Sequence, residues 1–136
     1  MIGMGPWLPH PETPMGKDFN DSPEFRQKQL DLGLRMIAVT RLYLHNVNIA
    51  ATTALQTLAP DGREQGLLAG ANVIMPNVTD TQYRANYQLY TGKPSLDENS
   101  DETRQKLQDS IHAIGEEIIW DQRGDSLRYF QRKEQA

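Results

Sequence analysis

Asn48-Ile49-Ala50-Ala51-Thr52-Thr53-Ala54-Leu55-Gln56-Thr57, followed by Gly62-Arg63-Glu64, Gly66 and Gly70-Ala71-Asn72-Val73-Ile74-Met75-Pro76-Asn77, decides the fold of this chain. Val47 to Ala51 is a short apolar run ended by threonines, which predicts a strand. The connection from there to Ala71 is about 20 residues, the size of a right-handed crossover between parallel strands. Pro60-Asp61-Gly62 interrupts it, Arg63 to Ala69 can form a short helix, and Gly70 supplies the stop. Asn72 to Met75 is the next strand, ended by Pro76, which cannot donate to a ladder.

Upstream, Met1 to Met4 reads as the end of a strand stopped by Gly5-Pro6, and Trp7 to Asp21 as a long proline-rich loop of the kind that often serves as a lid. Ser22-Pro23 is a strong helix start, and the helix runs to about Leu44. Leu30, Leu34 and Ile37 share one face, while Leu32, Met36, Val39 and Tyr43 are expected to widen that stripe against an extensive surface such as a sheet. The order β, α, β, α, β argues for parallel strands with covering helices, an α/β fold. Downstream, Tyr83, Tyr87 and Tyr90 fall on one face of a short helix, and Gly92 to Ser100 is a polar linker. A last helix starts at Ser100, carries Leu107, Ile111 and Ile114, and stops at Gly115. Ile118-Ile119-Trp120 is expected to be extended, and residues beyond Asp125 support no firm assignment.

Composition bounds the function. The 136 residues are of one-domain length, with 38% apolar residues and a net charge of -4. A mean hydropathy of -0.66 is low for a compact α/β domain, which predicts a partly solvated or partner-dependent chain. Fourteen basic against 18 acidic residues give no electrostatic basis for binding nucleic acid or an anionic membrane. Zero cysteines exclude disulfides, thiolate metal sites and cysteine-held iron-sulfur clusters within this chain. No apolar run is long enough to span a membrane and the N-terminus has no signal core, so a cytoplasmic protein is expected.

In parallel α/β folds ligands sit outside the carboxyl ends of the strands. Three clusters would converge there: Gly3, Met4 and Gly5; Thr52 and Thr53; Met75, Pro76 and Asn77. None is a strong acid, base or nucleophile. Paired threonines can hydrogen-bond an anion and methionines offer polarizable walls, the lining of a cavity whose hard chemistry belongs to a cofactor. Equally, Thr52 and Thr53 could simply cap a helix, and Met75 could fill a core. His10, His45 and His112 have structural readings, Glu116-Glu117 reads as a solvated pair, and Gly62-Arg63-Glu64 is either an anion holder or a turn with a surface ion pair.

The wording of these segments carries more than their pattern. Gly3-Met4-Gly5-Pro6-Trp7-Leu8-Pro9-His10-Pro11, Ala51-Thr52-Thr53-Ala54, Gly62-Arg63-Glu64, Ala71 to Asn77 and Tyr87-Gln88-Leu89-Tyr90 with Gly92-Lys93 resemble, in order, motifs of the HydE family of radical S-adenosylmethionine enzymes that mature FeFe-hydrogenase. Biotin synthase and its relatives share the layout less closely. The resemblance implies the C-terminal portion of a radical SAM (β/α)8 TIM barrel, with about three parallel strands and covering helices, the barrel incomplete. Residues 1–93 would be its last three βα units, matching the biotin and thiamin synthesis associated region, and residues 94–136 a C-terminal helix and tail packed on the barrel.

Carried over, Met1, Thr52, Thr53, Met75 and Tyr87 would face the substrate cavity, and Met4, Gly5 and Pro6 would lie near the adenosyl end of S-adenosyl-L-methionine. The complete enzyme would use that cofactor and a 4Fe-4S cluster, held by a C-x-x-x-C-x-x-C motif that this chain lacks, to act on an iron carbonyl cyanide species. Ser95 stands where the first cysteine of a second cluster would fall. The implied partners are the missing N-terminal half-barrel and the other hydrogenase maturation proteins. Met1 falls at an internal strand methionine of the family, which suggests a gene fragment, a misplaced start or half of a split enzyme. Two function classes follow: a C-terminal part of a radical enzyme, inactive alone, and a non-catalytic α/β remnant or binding module, with a biotin synthase-like fragment as a variant of the first.

Overall fold

A computed structural model of the chain describes residues 1–75, 81–84 and 100–135. Strand β1 (Ile2–Gly3) leads through the loop to helix α1 (Pro23–Leu44), and strand β2 (Ile49–Ala50) returns parallel to β1, with Ile2 beside Ile49 and Gly3 beside Ala50. Val73 extends the sheet on the other side of β2 through a parallel bridge to Ala50, its carbonyl accepting the Ala51 N–H at 2.8 Å. The parallel α/β order expected from the sequence is present, and among the described residues no barrel closes. The strands are shorter than expected. Asn72 explains part of this: its side-chain Oδ1 takes the Ile49 N–H at 2.9 Å, standing in for a backbone partner.

Helix α1 begins where Ser22 holds extended backbone and its hydroxyl accepts the Phe25 N–H at 3.2 Å, with Pro23 in the first turn. Bonds from its own backbone N–H and from the Ser22 hydroxyl hold the Glu24 carboxyl below the usual carboxylate range. Leu30 and Ile37 are buried against the sheet, as their spacing predicts. Leu32, Met36, Val39 and Tyr43 do not widen that stripe, being 50% to 82% exposed. Leu32 stands two residues from both Leu30 and Leu34, roughly half a turn round the axis from the sheet.

The crossover divides into α2 (Thr53–Leu58) and α3 (Gly62–Leu68). Leu55 is fully buried between them and α1, and three glycines make room for it. A Cβ at Gly33 would lie 3.2 Å from Leu55 Cδ2, one at Gly66 2.9 Å from Cδ1, and one at Gly62 would overlap the Leu55 carbonyl. Burying such a leucine contributes about 1.5–3 kcal/mol, and here the absence of three side chains allows it. Gly70, at φ +116, ends the turn after α3 in backbone that favours glycine.

Helix α4 (Thr81–Arg84) carries an exposed Tyr83, whereas Tyr87 and Tyr90 lie outside the described residues. Helix α5 (Ser100–Ala113) buries Leu107 and Ile111 and stops at Gly115, φ +82, where the His112 and Ile111 carbonyls accept the next two N–H groups. Ile118 to Trp120 joins no ladder and no helix among the described residues. Helix α6 (Leu127–Glu134) occupies the tail that the sequence left open. The tail reaches the amino ends of the strands, where Asn48 Nδ2 donates to Gly124 O at 2.6 Å and the Arg128 N–H to Asn46 O at 3.3 Å. No helix of the described residues is long and apolar enough to cross a membrane.

Candidate functional site

At the carboxyl ends of β1 and β2 the chain brings Gly5 and Thr52 together: a Cβ on Gly5 would stand 3.0 Å from Thr52 Oγ1. Parallel pairing of the two strands aligns these ends, and only glycine leaves the space open. Thr52 occupies the N-cap position of α2 with extended backbone, yet its side chain makes no capping bond. Its Oγ1 is buried without a hydrogen-bond partner. Capping therefore accounts for the position of Thr52 and leaves its hydroxyl unused. A buried hydroxyl without a partner costs about 1–3 kcal/mol, so Thr52 Oγ1 keeps unused hydrogen-bonding capacity at this end of the sheet. One turn later on the same side of α2, Gln56 Oε1 is also buried without a partner, as is Glu64 Oε2 of α3.

The other expected site residues divide. Thr53 is half-buried in the first turn of α2, where its carbonyl accepts the Thr57 hydroxyl at 3.2 Å. Met4 turns toward α1, packing on the core with Thr40 Oγ1 3.8 Å from its Sδ, so only its backbone borders the mouth. Pro6 lies against Gly33. Met1 and Met75 are exposed, at 74% and 54%, so Met75 fills no core among the described residues. Pro76, Asn77 and Tyr87 lie outside the described residues. Gly62 and Arg63 are buried, which corrects the expectation of a surface ion pair at Gly62-Arg63-Glu64. His10 has a structural part: its carbonyl accepts from the Thr13 N–H and hydroxyl, and its Nδ1 from the Glu12 N–H.

Sequence reasoning missed the opposite end of the sheet. Arg41 donates Nε to Gly70 O at 2.8 Å, Nη1 to Val47 O at 2.8 Å and to His45 O, and Nη2 to Asn72 Oδ1 at 3.0 Å. Asn72 Nδ2 donates in turn to Asn48 Oδ1 at 3.1 Å. The signal was present: Arg41 continues the Leu30, Leu34, Ile37 stripe at the next helical step, so its guanidinium had to end on the sheet side. A cavity of about 580 Å³ also opens near this end, between Asn72 to Ile74, Leu107 and Ile111 of α5, and the tail around Trp120. It does not coincide with the mouth at Gly5 and Thr52.

Hydroxyl and amide groups beside apolar walls can bind and orient a ligand but offer no strong nucleophile. Among the described residues no group of three or more His, Cys, Asp or Glu could hold a metal ion, and the chain has no cysteine, so its residues do not fit an iron-sulfur cluster. No family model matches the chain. It is similar to the FeFe-hydrogenase maturase subunit HydE of Thermotoga maritima, with 48% identity over 93 residues, which is 68% of this chain and 25% of that protein. The chain thus spans about a quarter of the length of the curated relative it matches.

Proposed function

We propose that this chain, a relative of the HydE maturases over its matched residues, is the C-terminal part of a radical S-adenosylmethionine enzyme of FeFe-hydrogenase maturation, supplying one wall of its substrate cavity. The supporting observation is the unspent Thr52 hydroxyl beside Gly5 at the carboxyl ends of parallel strands, in a chain so similar to a maturase. In this reading residues 1–93 form the last three βα units of the barrel and residues 94–136 pack on it. Thr52 and Thr53 meet the substrate's polar groups, Met1 and Met75 form apolar wall, and Tyr87 stands near the reacting centre. Backbone at Met4, Gly5 and Pro6 borders S-adenosyl-L-methionine, which supplies the radical chemistry in the complete enzyme. The cluster is held by cysteines of the missing half-barrel, and the assembled enzyme works in the cytoplasm with the other maturation proteins.

Alone, the chain is proposed to be inactive. The test is co-expression with the cysteine-bearing part of the Thermotoga maritima relative, anaerobic iron reconstitution, and an assay for 5'-deoxyadenosine. Product from the two parts together and none from this chain alone is expected. Product from the isolated chain would overturn the reading, and failure of the two parts to associate would favour the non-catalytic binding module.

A further inference from the structure

Helix α1 carries two neighbouring rows of side chains that are exposed among the described residues except at Phe25, Gln29 and Ala38, which are half-buried. One row, Phe25, Gln29, Leu32, Met36, Val39 and Tyr43, recurs at alternating steps of four and three, and its last four members are the exposed apolar residues already noted. The row beside it, Glu24, Lys28, Asp31, Arg35, Ala38 and Leu42, has the same spacing, and its first four members alternate in charge. A 4-3 repeat is the pattern by which one helix presents a continuous seam to another. The second row faces away from α2, which is held on the opposite flank by Gly33 against Leu55 and by Arg26 Nη1 toward Thr57 O. Arg26 pairs with Asp21, and among the described residues none of the four charged residues of the row has an ionic partner.

We propose that this face binds a second copy of the chain, with the two α1 helices antiparallel and the two-fold axis between Gln29 and Leu30. The charge order requires that register. Turned end to end about that point, the row sets Glu24 of one copy opposite Arg35 of the other and Lys28 opposite Asp31, and the symmetry repeats both pairs. A shift of one step in the row brings like charges together, which disfavours the alternative. The same register lays the exposed Met36 and Val39 of each copy over the start of the other's α1, where Phe25 packs edge-on with Phe19 and Trp7 at ring-centroid distances of 4.5 and 5.9 Å. An acidic-basic row thus sets direction and the apolar row supplies burial. A preceding βα unit of a complete barrel would approach from the same flank, so a half-barrel and a second copy compete for it. The inference uses only the surface of α1 and does not depend on the proposed chemistry.

The full chain, which has no cysteine of its own, suits single-cysteine cross-linking. In the proposed register Lys28→Cys meets its own copy across the axis with an axial offset of about 4.5 Å, whereas Met36→Cys is offset by about 20 Å and Tyr43→Cys by about 40 Å. Lys28→Cys is expected to form a disulfide dimer at least about tenfold faster than either of the others. Faster bridging at Met36→Cys would indicate an apolar-centred register, and equal bridging at all three would indicate non-specific association; either overturns the proposal, as does no bridging at all. Sedimentation equilibrium supplies a second readout. Glu24→Arg is expected to weaken the dimer about tenfold, and Glu24→Arg with Arg35→Glu to restore it. If these charges served only pairs within the helix, the double swap would create like neighbours at Lys28 and Asp31 and would not rescue. That result, or a dimer indifferent to Glu24→Arg, overturns the pairing.

Discussion

At the amino ends of the strands, Arg41, Asn48 and Asn72 satisfy one another and four backbone carbonyls; at the carboxyl ends, a few residues along the same strands, the Thr52 hydroxyl satisfies nothing. Both ends carry polar groups that are wholly or partly buried, so burial does not distinguish them. The difference is whether the fold uses its hydrogen-bonding capacity. In barrels of parallel strands the amino end commonly serves stability and the carboxyl end ligands; here the hydrogen-bonded network lies at the amino ends and the unpartnered hydroxyl at the carboxyl ends.

The largest expected effect breaks the amino end. Arg41→Ala removes four hydrogen bonds, two of them part-buried and two exposed, and is expected to lower stability by about 2 kcal/mol or more in urea unfolding, with solvent access limiting the loss. A loss under about 1 kcal/mol would mean that this end is no more committed than the other. Asn72→Ala takes away the stand-in partner of the Ile49 N–H together with the links to Arg41 and Asn48, and about 2 kcal/mol is expected by the same measurement. Smaller again is Gly5→Ala, whose new methyl presses on Thr52 Oγ1; thermal melting should show a cost below about 1 kcal/mol, because the hydroxyl is free to yield.

Thr52→Val sharpens the contrast most at the least cost. Replacing an unsatisfied hydroxyl by a methyl of similar size is expected to change stability by no more than about 0.5 kcal/mol, or to raise it slightly. In the two-part enzyme the same change is expected to weaken substrate binding about tenfold, read as a rise in KM. A substantial loss of stability instead would show that the hydroxyl already serves the fold.

Much of the architecture was legible because it rests on local rules. Ser22-Pro23 opens α1 where a cap and a proline can act, Gly70 and Gly115 stop helices in left-handed backbone, and a crossover of fixed length dictates parallel strands. The motif wording likewise pointed to the relative that the comparison found. Of the residues expected to converge at the strand ends, Gly5 and Thr52 stand side by side, while Met4 turns into the core because alternate residues along extended chain face opposite sides.

By itself the sequence determined the start of α1, the glycine stops after α3 and α5, the parallel order, the absence of cluster cysteines and the family resemblance, all of which depend on residue identity and near-neighbour spacing. Only the tertiary structure decided that Leu55 is enclosed by Gly33, Gly62 and Gly66, that Arg41 clamps Gly70 and Val47, and that Thr52 keeps a free hydroxyl. It also decided that the second apolar row of α1 faces outward. The physical reason is common to them all. Each outcome depends on which groups far apart along the chain fill a given space or hydrogen bond, and spacing within a single element cannot specify that.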